Sequence, residues 1–176
     1  MKTLTAILFA GLATMSAACG STASPTAPAT VALPLTYTFT SSLLPANEVP
    51  AISNADASGS GTVTVTMNVT RDSGGSVTAA TANFSVSLTG FPAATTLTGA
   101  HIHQAGPGLN SGVIVNTGLA NGEVVLASGA GSFTKSNINV AVDVANNLIV
   151  GSNGFYFNVH TTLNAGGAAR GQLIKQ

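Results

Sequence analysis

The stretch that decides the fold is GTVTVTMNVT (residues 61–70), RDSGG (71–75) and SVTAATANFSVSL (76–88). Val63, Val65, Met67 and Val69 alternate with Thr62, Thr64, Thr66 and Asn68, and Phe84, Val86 and Leu88 close the second run in the same way. Alternation with a period of two puts one row of side chains in a core and the other towards water. The polar, glycine-containing segment between the runs makes them a β-hairpin. Upstream, Leu35, Tyr37 and Phe39 alternate with threonines. Downstream, Leu97–Gln104, Val113–Asn116, Glu123–Ala127, Gly154–Thr162 and Ala168–Lys175 read as further strands between glycine-rich turns. Residues 138–150 fit either a short helix or a turn. About eight short strands at this spacing predict an all-β domain, a Greek-key β-sandwich or small barrel.

Composition supports one such domain. Asp, Glu, Lys and Arg make up 6% of the 176 residues, and apolar residues 45%, against a usual charged share of roughly 25%. So much apolar surface argues against disorder despite the low charge. Beyond residue 18 the basic residues are Arg71, Lys135, Arg170 and Lys175, against acids Glu48, Asp56, Asp72, Glu123 and Asp143. No basic patch exists to neutralise phosphates, so nucleic-acid binding is not expected.

Residues 1–18 read as a signal peptide: Lys2, then an uncharged apolar run from Leu4 to Met15, then Ser16, Ala17 and Ala18. The run is shorter than the roughly 20 residues of a membrane span. Cys19 is the single cysteine, so no internal disulfide or thiolate cluster can form. Residues 15–19, MSAAC, resemble the bacterial lipobox, in which the cysteine is acylated and becomes the mature N-terminus, although Ser16 stands where leucine is commonest. The alternative is ordinary cleavage beside an incidental cysteine. Residues 19–34, rich in Ser, Thr, Ala and Pro, read as a flexible linker from a lipid anchor. Gly20 after the cysteine implies, by the same resemblance, an outer-membrane lipoprotein of the bacterial cell envelope, with a secreted or periplasmic protein as the alternative.

Three histidines carry the candidate chemistry. His101 and His103 lie two residues apart on one strand and therefore share a face, with Ile102 turned to the core. His160 shares its row with Tyr156 and Asn158, opposite Phe155, Phe157 and Val159. If the two strands are neighbours, three imidazoles converge on the sheet's outer face and suit copper or zinc. Otherwise the same rings would hydrogen-bond loop backbone and pin the glycine-rich turns.

The chain also carries, in order, NEVP (47–50), AHIH (100–103) with a glycine-rich turn after it, GFYFNVHT (154–161) and RGQL (170–173). Together these motifs resemble the CHRD domain, named from the animal developmental protein chordin and widespread in exported bacterial proteins. The likeness spans about residues 36–175, which makes residues 35–176 a CHRD-like β domain. Where the family usually has an acidic residue before the final arginine, this chain has Ala168 and Ala169. The resemblance implies an immunoglobulin-like fold and a binding or structural module rather than an enzyme. More distantly, the histidine strands resemble the copper strands of Cu/Zn superoxide dismutase, with His101, His103 and His160 matching three ligands. No further histidine matches the bridging or zinc positions, so dismutase activity is not expected.

Glu48 and Arg170 stand out where charge is so scarce. A mutual salt bridge pinning residues 45–60 to the last strand is the structural reading, and ligand recognition the functional one. Paired carboxylates, a serine nucleophile motif and a P-loop lysine are all missing from the sequence. A surface adhesin working through threonine-rich faces is a further possibility.

Overall fold

The computed structural model describes residues 32–176. The expected signal peptide, Cys19 and nearly all of the linker lie outside the described residues. Among the described residues ten strands, all paired antiparallel, build two sheets. The first has the order β10-β1-β2-β3-β7, from Ile174–Lys175, Thr36–Leu43, Ser60–Arg71, Val77–Thr89 and Gly131–Val140. The second has the order β5-β4-β8-β9, from Val113–Asn116, Thr95–His103, Tyr156–Thr161 and Ala169–Gln172, and β6 (Val125–Leu126) pairs with β4. This is the sandwich form of the expected fold.

Strands β2 and β3 form the expected hairpin, with Val65 opposite Phe84 and Val63 opposite Val86. Asp72 closes its turn, Oδ1 accepting from the N–H groups of Gly74 and Ser76 at 2.9 Å. Val63, Val65, Met67, Phe84, Val86 and Leu88 are buried, while Thr62, Thr64, Asn68, Ser85 and Ser87 stay exposed. Across the core, Phe84 of the first sheet stacks on Phe157 of the second, with centroids 5.9 Å apart.

Sequence and structure part company in four places. Strand β7 was not foreseen, because Lys135, Ser136 and Asn137 break its alternation. Asn137 has φ 57°, and the β3–β7 register slips between Ala82 and Phe84. The ambiguous run 138–150 divides into the end of β7 and helix α1, Val142–Gly151, which buries Val144, Ala145 and Leu148 on one face. The run 168–175 also divides. Leu173 is fully buried, and the chain passes there from β9 in the second sheet to β10 in the first. Finally, the polar row of the second sheet does not face water. Residues 44–58 and 104–112 lie over it, fastened by Asn110 Nδ2 donating to Val49 O at 2.7 Å and Asn47 Nδ2 to Arg170 O at 3.2 Å.

Among the described residues no helix is long and apolar enough to cross a membrane. The two faces of β2–β3 make opposite predictions. Phe84→Ala removes one half of the inter-sheet stack and should cost about 3–5 kcal/mol. Thr64→Ala on the exposed row should change stability by less than about 0.5 kcal/mol. Denaturant melts of the two variants check both.

Candidate metal centre

Neighbouring strands β4 and β8 bring the three histidines together. In their register His101 faces Asn158, Gly99 faces His160 and His103 faces Tyr156. One ligand nitrogen from each ring can be chosen so that all three lie within 4.8 Å of one another. Gly99 makes room: a Cβ there would stand 3.1 Å from His101 Cε1. The cluster is partly sunk: His103 is 6% exposed and Asn158 2%, while His101 and His160 are half-buried.

Backbone carbonyls set the tautomers. His103 Nδ1 lies 2.9 Å from Ser111 O, and His160 Nδ1 lies 2.9 Å from Ala165 O. A carbonyl only accepts, so both Nδ1 atoms carry hydrogen, and in its neutral form each ring keeps its lone pair on Nε2. These two Nε2 atoms turn to a common point beside Asn158 Oδ1, at 3.2 and 3.1 Å. His101 Nδ1 lies 3.0 Å from His160 Nε2. The second nitrogen of a metal-binding imidazole commonly makes just such an outer bond, which fixes the ring and raises its basicity.

Burial lowers the basicity of His101 and His160. His101 is lowered to about 4, first by burial and then by His160 and His103 nearby. His160 is also lowered, by burial above all, against the opposing effect of its bond to the Ala165 carbonyl. Around them, the His103 ring stacks on Tyr156 with centroids 4.7 Å apart and planes 7° apart. On Tyr156 lies the Arg170 guanidinium, its Cζ 3.9 Å from the ring centroid.

The expected Glu48–Arg170 salt bridge does not form. Arg170 is 1% exposed, yet it spends Nη1 on Asn110 Oδ1 at 2.9 Å and its face on Tyr156. Among the described residues the single salt bridge is Lys135–Glu123, at 2.7 Å. Stacking and an amide partner have taken the geometry that a bidentate pair would need. Glu48 is instead packed under Gly167, where a Cβ would lie 2.7 Å from either carboxylate oxygen, and its Oε1 has no hydrogen-bond partner. Burial pushes Glu48 up to about 7, while the charge of Arg170 and hydrogen bonding with Asn158 pull the other way.

The sequence did not single out Asn158, Asn110 or Asp56. Asn158 was visible only as a polar residue in the row of His160. Asp56, 1% exposed, accepts from Thr161 Oγ1 at 2.7 Å and Asn164 Nδ2 at 2.6 Å, which ties the covering segment to the end of β8. No pattern along the chain announced that tie, since its partners lie more than a hundred residues apart.

With this geometry in view, the model of the CHRD domain matches residues 39–173. The chain belongs to the CHRD domain family. The match takes in the two histidine strands, the covering segments, Glu48 and Arg170. Searches of curated proteins and of solved structures find no match to this CHRD protein.

The buried groups give stability an opposed pH dependence. Below about 6.5 an unfolded His101 takes up a proton that the folded ring refuses down to about 4, so stability falls across that window on acidification. For Glu48 the folded value is the higher one, so its contribution is full below about 4.5 and is lost as pH rises through about 7. Glu48→Gln should therefore raise the melting temperature at pH 8 and leave it nearly unchanged at pH 4.5, as thermal melts of the metal-free protein would show.

Proposed function

We propose that this is an exported, lipid-anchored cell-envelope protein whose CHRD domain binds a first-row transition ion, copper or zinc, through His101, His103 and His160. What carries this reading is the meeting of three ring nitrogens within 4.8 Å, two of them with their lone pairs set by bonds to Ser111 O and Ala165 O. Imidazole nitrogen is a good ligand for both ions, and a buried neutral ring offers its lone pair without first losing a proton. The domain acts as a metal-holding or metal-dependent binding module rather than as an enzyme, since its five acids are scattered one at a time and provide no acid–base pair.

A metal-free structural or binding module is the second reading. The bonds of His103 and His160 to loop carbonyls favour it, because they pin the loops at Ser111 and Ala165 whether or not an ion is bound. Titration with Cu²⁺ or Zn²⁺ separates the two. Stoichiometric uptake that falls at least about 100-fold in affinity in each His→Ala variant supports the metal reading. An unchanged melting temperature at saturating metal would leave the structural reading, since an ion at 100 times its Kd stabilises by about 2.7 kcal/mol.

The envelope location rests on Cys19 and on the small residues before it. Cys19→Ala should move the protein from the membrane fraction to the soluble periplasmic or extracellular fraction. An unchanged fractionation would remove the lipid anchor from this proposal.

A further inference from the structure

We propose that Asn158 is the fourth ligand of the ion, through Oδ1, and that the Glu48 carboxylate behind it orients and polarises the amide. This deepens the metal reading above and rests on it.

The spacing, that of ordinary hydrogen bonds, is also close to that of ligands around one ion. Ligands about 2.0–2.1 Å from a tetrahedral ion stand about 3.3 Å from one another. His101 Nδ1 and His160 Nε2 are 3.0 Å apart. Asn158 Oδ1 is 3.1 Å from His160 Nε2 and 3.2 Å from His103 Nε2. Three edges of one tetrahedron are thus already near their bonded lengths, two of them ending on the amide oxygen.

The hydrogen count points the same way. His103 and His160 have committed their Nδ1–H groups to Ser111 O and Ala165 O, so in the neutral form their Nε2 atoms present lone pairs. Asn158 Oδ1 also only accepts. Three acceptors therefore converge, and His101 Nδ1–H satisfies at most one of the ring nitrogens. A cluster of buried acceptors without donors is unfavourable, and a cation at their meeting point removes the conflict.

Glu48 sets the amide's direction. Asn158 Oδ1 faces the imidazoles, 3.1 and 3.2 Å from their Nε2 atoms, which leaves Nδ2–H as the group that can serve an ionised carboxylate, itself an acceptor only. Glu48 is 7% exposed, lies outside salt-bridge reach of Arg170 and has Oε1 unpartnered. A buried anion so placed offsets part of the charge of a dication held by neutral rings. An amide oxygen is a known weak ligand of copper sites otherwise built from stronger donors. The resulting N₃O set fills the position that three histidines alone would leave to water.

The test uses the purified, Cu²⁺-loaded protein in D₂O. Spin-echo modulation should detect no directly bound exchangeable water in the wild type and should detect it in Asn158→Ala, whose affinity should fall at least tenfold. Asn158→Asp keeps an oxygen in place and should retain affinity and a water-free ion. This isosteric variant answers the question even if the alanine variant folds poorly. Glu48→Gln should weaken binding roughly tenfold while leaving the ligand set intact. If the wild type already carries metal-bound water, and Asn158→Ala and Asn158→Asp match its affinity and spectrum, the fourth-ligand assignment is wrong although the three-histidine site stands. If the wild type takes up no Cu²⁺ or Zn²⁺, the metal reading falls and this inference falls with it.

Discussion

Strand β8 is buried on both faces, and the organisation of the candidate site follows from that constraint. Phe157 and Val159 enter the core between the sheets, and Tyr156, Asn158 and His160 lie under the covering segments. A polar side chain removed from water costs free energy unless it finds a partner. The partners here come from loops: Ser111 O for His103 and Ala165 O for His160, each only a few residues on, and the distant Asn110 for Arg170. Each bond that satisfies the row also fastens a loop, so the loops are ordered by the chemistry of the strand they cover.

The low charge of the chain fits this arrangement. A two-sided strand can tolerate few ions, and those present sit where neutral groups absorb them: Arg170 on the Tyr156 face and Glu48 between Asn158 and Gly167. Gly167 has φ 137°, a backbone state that side chains rarely adopt, and a Cβ there would displace the carboxylate. Glycine at this position serves both the turn and the packing of Glu48.

What could be read from the sequence was whatever repeats at short range. The period-two rows of β2 and β3 gave the sheet, and the two-residue spacing of His101 and His103 placed both rings on one face. That His160 joins them depends on β4 and β8 being neighbours, a pairing of residues nearly sixty apart that no local pattern encodes. For the same reason the covering layer was missed. Its ties join Asn54 to Asn164 and Asp56 to Thr161, and residues 44–58 look like an ordinary polar loop. The expected Glu48–Arg170 pair was inferred from scarcity of charge alone. Scarcity brings two ions into one region, but the aromatic face and amide available to the guanidinium decide how close they come.

Why the two charges stay apart can be argued from the cost of their alternatives. A buried ion pair seldom returns more than its desolvation penalty, whereas a guanidinium stacked on an aromatic face and bonded to an amide keeps much of its solvation by other means. A carboxylate left without such a partner carries a standing cost at neutral pH, visible in the upward displacement of Glu48. Such a cost is retained where some other state of the protein uses the charge. A dication among neutral imidazoles, one amide away, is such a state, because it turns the unpaired carboxylate from a liability into the nearest counter-charge. On this argument the metal-free fold is the strained member of the pair. Folding and ion binding then act on the same few side chains, Glu48, Asn158 and the three histidines, rather than on separate parts of the domain.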